Sequence, residues 1–286
     1  MTYYLIIDES GEKGYSTNIN TSNNEFGVMA GYFLSIDEID KAREILKAEL
    51  NTIDNNKKVH ITDLTKDKQV LLRNTIFKLF KSNKTRWIHQ SIYNKGFCNS
   101  TIGNKSLLHA ELFLGIFLKA IAHIYDKFRN KEIHLNIISD TIDKTTKEKL
   151  KKSVKDVISI LTGDYNKINV SKKWNSEKKE LTNWKTVSTV VVDPNSLQLN
   201  KLTFDINCEN SELTLAADVL ANSTYYYLKE KTNVNNSIRL DSKEAISNHP
   251  LSNQLYGYYD KSDNNAIDLF NTIYRKDYNQ TQEKNK

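Results

Sequence analysis

The sequence predicts an α/β protein: a mixed β-sheet flanked by helices, with helical and loop insertions. Three observations carry this. Tyr3-Tyr4-Leu5-Ile6-Ile7 is an apolar run rich in aromatic and β-branched residues, with no polar alternation. Such a strand is covered on both faces and therefore central. Phe26 to Leu34 (FGVMAGYFL) is a second buried strand, expected to run antiparallel to the first. Later strands are each followed by a segment of helical periodicity: Ile133–Ser139 by Thr145–Leu161, and Leu202–Ile206 by Leu213–Lys229.

The elements follow in order. Asp8-Glu9-Ser10-Gly11 reads as the turn that ends the first strand, and Glu12 to Glu25 as a polar hairpin loop. Ile39, Ala42, Ile45, Leu46 and Leu50 recur at helical spacing, so a helix is expected from Ile36-Asp37 to about Leu50. After the polar break 54–58 comes Val59-His60-Ile61-Thr62-Asp63-Leu64, in which a strand is one reading. A helix near Lys66–Phe80 and a strand at Arg86–Tyr93 follow. Lys105–Phe128 reads as a long amphipathic helix and the largest contributor to the core. Lys167–Ser171 is a short strand, Lys172–Lys185 a polar insertion bearing Trp174 and Trp184, and Val187–Val192 another strand. A short helix at Ile267–Ile273 closes a single domain spanning residues 1–275, and 276–286 is a flexible polar tail.

A chain of 286 residues is long enough to bury a sizeable core. With 38% hydrophobic and 27% charged residues, it is expected to be globular with a wet surface. Two prolines exclude Pro-rich linkers, and two cysteines, Cys98 and Cys208, exclude a disulfide framework or a cysteine zinc site. The most apolar segment, Leu107–Tyr125, is interrupted by His109, Glu111, Lys119 and His123, which argues against a membrane span. A cytoplasmic protein is the expectation. The net charge of +6 is compatible with nucleic acid and too mild to establish it. Oligomeric state is not legible.

The chemistry resides in carboxylates. Asp8 follows the central strand, and Glu9 must face the opposite side because strand side chains alternate. The competing reading is a strand stopped by an ordinary acidic turn. Asp140 closes the strand Ile133–Ser139, while Asp143 has the placement of a helix N-cap. Asp218 is the one acid in the apolar stretch Leu213–Asn222. Acids are seldom buried unless paired or on a metal, although one at a helix boundary can also reach solvent. Two strand-end carboxylates and one helical carboxylate make a hard-cation site, and oxygen ligands favour Mg2+ or Mn2+ over zinc.

Asp8-Glu9-Ser10-Gly11, Val59-His60, Asp140 after a strand, and Ser211 followed by Leu215-Ala216-Ala217-Asp218-Val219-Leu220-Ala221 together resemble the domain of unknown function 3800 family. The resemblance covers Tyr3 to about Tyr227. It implies a ribonuclease H-like fold, nuclease activity and a metal site formed by Asp8, Asp140 and Asp218. Glu9 and His60 would be helpers in catalysis. The chain departs from the family at Thr214-Leu215, where a glutamine-leucine step is usual.

Other candidates fall away. Gly103-Asn104-Lys105-Ser106 lacks the glycine spacing of a phosphate-binding loop. His109 and Glu111 are two apart and do not share a helix face. The lysines and indoles of 172–185 match the way single strands are held by stacking plus charge; a solvated loop with its Trp residues tucked against the body is the competing expectation. The reading is a divalent-metal-dependent nuclease acting on RNA or DNA. The alternative is a non-catalytic nucleic-acid-binding or protein-interaction module on the same fold, and metal dependence separates the two.

Overall fold

A computed structural model describes residues 1–11, 26–53, 60–93, 106–127, 131–140, 142, 144–161, 166–177, 179–189, 201–234, 239–241, 246–256 and 272–274. Strands β1 (Thr2–Gly11), β2 (Phe26–Ser35), β3 (Trp87–Tyr93), β4 (Ile133–Ser139) and β7 (Leu202–Cys208) form one five-stranded sheet in the order β3-β2-β1-β4-β7. β2 runs antiparallel to both β1 and β3, whereas β4 is parallel to both β1 and β7. The N-terminal strand is thus central, and Leu5, Ile6 and Ile7 are all 0% exposed. Its continuous apolar run has the expected cause: neither face meets water.

Alternation divides the core in two. Ile6, Val28, Ala30 and Tyr32 face one side, covered by α1 (Ile36–Ile53), α2 (Lys66–Asn83) and α5 (Glu212–Val234). Leu5, Ile7, Met29 and Phe33 face the other, under α3 (Ser106–Lys127) and α4 (Lys144–Leu161). Ser35 hands β2 directly to α1: its N–H and hydroxyl both donate to Glu38 Oε2, at 2.8 and 2.7 Å. α5 is sandwiched between the sheet and the outer helices, so every residue from Ala216 to Thr224 is buried. Asp218 lies inside that run. Among the described residues no helix is long and apolar enough to cross a membrane.

Two glycines permit close approaches. Gly11 has a φ of +81°, and a Cβ there would stand 2.1 Å from the Phe26 carbonyl oxygen and 2.8 Å from the Tyr225 ring of α5. In β2, a Cβ on Gly31 would lie 2.4 Å from the Ile6 carbonyl oxygen and 2.7 Å from Ile7 Cγ2. The obstacle at Gly31 is backbone, which cannot rotate away. Gly31→Ala is therefore expected to cost about 1–3 kcal/mol or more through overpacking. An unchanged urea midpoint, followed by circular dichroism, would refute this.

A second polar feature lies behind α5. The His249 ring, 2% exposed, packs against Phe77, Trp87 and Tyr227 with centroid distances of 5.0 Å to each. Its Nδ1 accepts from the Leu251 N–H at 3.1 Å, and Nε2 lies 2.9 Å from the Ser223 hydroxyl. Trp87 Nε1 donates to the Leu251 carbonyl at 2.8 Å.

Four expectations are corrected. Asp8 is not at the end of its strand, and Asp8-Glu9-Ser10-Gly11 is not a turn, because pairing with β2 continues to Gly11↔Gly27. His60 is not in a strand; it precedes a single 3₁₀ turn, Ile61–Asp63. The insertion expected at 172–185 is not a loop between short strands: Lys172–Asn175 and Glu180–Lys185 lie in a two-stranded antiparallel ribbon, β5 (Asn166–Asn175) and β6 (Glu180–Thr189). The end of the expected last helix, Thr272 and Ile273, lies in a short strand (Thr272–Tyr274) paired with Arg239–Asp241. The hairpin loop 12–25, the N-cap Asp143, the Gly103–Lys105 stretch and the tail from 275 lie outside the described residues.

Candidate metal centre

Register brings two of the carboxylates together. β1 and β4 pair in parallel up to Ile7↔Ser139, and the next residue on each strand is Asp8 and Asp140. β4 stops there while β1 runs on against β2. Asp8 thus stands where the central strand loses one neighbour. Its parity with Ile6 turns its side chain towards α5.

Asp218 reaches the same place from the helix. Ala216, Ala217, Leu220 and Ala221 are all 0% exposed and have little bulk apart from Leu220, which lets α5 lie close to the sheet. Asp218 itself is 7% exposed, which excludes the reading of a boundary acid reaching solvent. Its Oδ2 accepts the backbone N–H of Ile61 at 2.8 Å. Ile61 is fully buried in the same core, so it pins the 3₁₀ turn beneath α5 and holds His60 at the rim.

The His60 side chain, 52% exposed, lies between two acids: Nε2 is 3.6 Å from Asp140 Oδ2 and Nδ1 is 3.7 Å from Asp218 Oδ2. Both distances exceed a hydrogen bond. Ligand atoms of Asp8, His60 and Asp218 all lie within 4.8 Å of one another. The Asp140 side chain, 14% exposed, adjoins this trio through His60.

Electrostatics sharpen the picture. The Asp8 carboxyl is held well above the ordinary carboxylate range, first by burial, then by the charges of Glu9 and Asp218, with a smaller push from Asp140. The Glu9 N–H donates to Asp8 Oδ1 at 2.8 Å and opposes that rise. Gathering acids around a buried carboxylate destabilises the metal-free protein unless a proton or a cation occupies the space.

The donor set fits a divalent cation. Ligand atoms around an ion bound at about 2.1 Å lie about 3–4 Å apart, so the cluster needs only a slight contraction. Carboxylate oxygens suit Mg2+ and Mn2+, and an imidazole nitrogen tilts the set towards Mn2+ or a later transition metal.

Asp8, Asp140, Asp218 and His60 are therefore brought together, and Glu9 is not. Its carboxylate emerges on the opposite sheet face, where Oε2 is 3.7 Å from Nε2 of the buried His109 in α3. His109, which sequence spacing keeps apart from Glu111, meets an acid of β1 instead. The spacing of Glu9 against Asp8 gave the side of the sheet but not the helix that covers it. Glu111 is exposed, as expected of its position on α3. The Ile61 amide is the other contributor that spacing alone does not reveal.

No protein-family model matches this chain, and no curated protein matches it.

Proposed function

We propose that this protein is a divalent-metal-dependent nuclease that hydrolyses phosphodiester bonds of RNA or DNA, on a ribonuclease H-like fold. The observation that carries the reading is the convergence of Asp8, Asp140, Asp218 and His60 from four separate chain segments at one end of the central strand. The mixed sheet with helices on both faces and the motif residues around Asp8 and Asp218 support the fold assignment and the resemblance to the domain of unknown function 3800 family.

Asp8, Asp140 and Asp218 would hold the metal, with His60 as a neighbouring nitrogen donor. Bound there, divalent ions supply an activated water and stabilise the leaving oxygen. The protein residues have distinct parts. The buried wall formed by β1 and α5 keeps water from the inner side of Asp8 and Asp218, which strengthens their hold on a cation. His60, on the solvent side between Asp140 and Asp218, is placed to move a proton to or from a substrate oxygen.

The test is titration of Mn2+ into the wild type and Asp218→Asn, followed by incubation of both with labelled single- and double-stranded RNA and DNA. The wild type is expected to bind the ion and cleave a substrate only when metal is present. Asp218→Asn keeps a side-chain oxygen for the Ile61 N–H, so it should fold and yet lose at least about tenfold in metal affinity. Equal metal binding and cleavage by both proteins would remove the site; binding of nucleic acid with no metal dependence would favour the non-catalytic module.

A further inference from the structure

Among the described residues, one face of the β5–β6 ribbon is exposed. Directly opposed residues of an antiparallel pair share a face, as do residues two apart. Val170↔Lys185, Lys172↔Asn183 and Trp174↔Leu181 therefore line one side of the ribbon, together with Val187. Val170 is 64% exposed, Trp174 64%, Leu181 61% and Val187 57%; Lys172 and Lys185 are exposed with them. The expectation that Trp174 tucks against the body is thus overturned. Large apolar side chains exposed together on one face mark an interaction surface.

Charge identifies the partner. The stretch 166–189 holds six lysines and two glutamates, a net +4 in a chain whose total is +6. Of the two acids, Glu177 falls in the turn and Glu180, opposite Asn175, falls on the other face. The apolar face therefore bears cations and no acid. Pressed against a second copy of itself, it would set lysine against lysine. A polyanion with flat apolar faces matches it. Trp174 lies two residues from Lys172 on one strand, a separation of about 7 Å, comparable to one nucleotide step of an extended strand.

We propose that the β5–β6 ribbon grips single-stranded nucleic acid, with a base stacked on Trp174 against Leu181 and phosphates met by Lys172 and Lys185. The inference builds on the reading of the chain as a nucleic-acid enzyme and names where its substrate is held. Stacking on an exposed indole needs no particular base, so the grip is indifferent to sequence. The lysines make it sensitive to salt.

The test is fluorescence anisotropy of labelled single-stranded and duplex oligonucleotides with the full chain, in EDTA so that no cleavage intervenes. Trp174→Ala is expected to weaken single-strand binding about ten- to hundredfold. The double variant Lys172→Ala with Lys185→Ala should lower the slope of log affinity against log salt by about 1.4. Circular dichroism and Mn2+ titration of these variants should match the wild type, because the substitutions are on an exposed ribbon away from the carboxylates. The proposal is overturned by failure of the wild type to bind any single strand, by unchanged affinity of Trp174→Ala, or by stronger binding to duplex. Preferential binding to phosphatidylserine vesicles would also overturn it. The two readings fail separately. A grip that depends on Trp174, in a wild type that never cleaves, leaves the ribbon standing and removes the nuclease. Cleavage indifferent to Trp174 does the reverse.

Discussion

Replacing Asp8 by asparagine will make the metal-free protein more stable and leave it unable to respond to a divalent cation. Burial and the charges of Glu9, Asp218 and Asp140 hold the Asp8 carboxyl above its ordinary range. A folded-state pKa above the unfolded value means that the native state prefers the protonated acid. The stability this confers is present at low pH and is lost as pH rises through the folded value. Asparagine is uncharged throughout and keeps an oxygen for the Glu9 N–H, the one interaction that opposes the shift. In EDTA at neutral pH the variant should gain about 1 kcal/mol, the usual yield when functional strain is removed, or about 2–4 °C in Tm. Mn2+ at a hundred times its Kd should stabilise the wild type by about 2.7 kcal/mol and the variant not at all. Binding to the wild type should release a proton, so affinity should rise with pH. Cleavage should fall at least about a thousandfold, the equivalent of about 4 kcal/mol. A melting temperature in EDTA below that of the wild type, or an undiminished Mn2+ shift, would contradict the site.

The second large effect is acid lability centred on His249. Burial, with a smaller contribution from Lys81, lowers its pKa from 6.5 to about 4. Its hydrogen bonds explain the preference: Nδ1 accepts a backbone N–H and so must carry no proton, which leaves Nε2–H to face the Ser223 hydroxyl. Above pH 6.5 both folded and unfolded chains hold a neutral ring and the residue is silent. Between 6.5 and 4 only the unfolded chain takes the proton, and stability falls with pH. A drop of that size corresponds to about 3 kcal/mol at 1.36 kcal/mol per pH unit. His89, buried and held well below its ordinary value by burial, Lys119 and His249, acts in the same direction. Urea unfolding from pH 7 to pH 4 should show the loss. His249→Gln should be less stable at pH 7 yet have a shallower slope, and an equally steep slope would locate the lability elsewhere.

The carboxylates were legible because two different codes mark them. Asp8 and Asp140 each end an apolar run, and parallel pairing with matched register makes the two positions neighbours. Asp218 is an acid among alanines and leucines, visible because helix faces are read at 3.6 residues per turn. His60 carried no such mark. Its placement follows from Ile61, whose burial under α5 and N–H to Asp218 are long-range facts. The ribbon was legible only in part: strands were expected at Lys167–Ser171 and from Val187, but not their continuation into a paired hairpin. Among the described residues its strands pair with each other, and Ser171-Lys172-Lys173 separates Val170 from Trp174, which blurs the alternation that announces a strand. Its turn lacks the Asn-Gly or Asp-Gly step that announces a tight hairpin. Asn175 instead accepts the Glu177 N–H at 3.0 Å, and Lys179 takes a φ of 48° without being glycine. A strand through His60 was one reading because two apolar residues three apart, Ile61 and Leu64, in a short segment do not separate a single helical turn from a pleat.

The parallel half of the sheet also dictates when the centre can exist. β1 and β2 are neighbours along the chain, but β1 waits for β4, more than a hundred residues later, and β4 waits for β7. Pairings this remote form late, after the loops between them have closed. During synthesis the first acid leaves the ribosome at position 8, the second at 140 and the third at 218, inside the helix that completes one face of the core. A chain that stops short of α5 would lack Asp218 and, with it, part of the proposed centre. Assembly of the proposed centre is thereby tied to contacts that reach from position 8 to position 218.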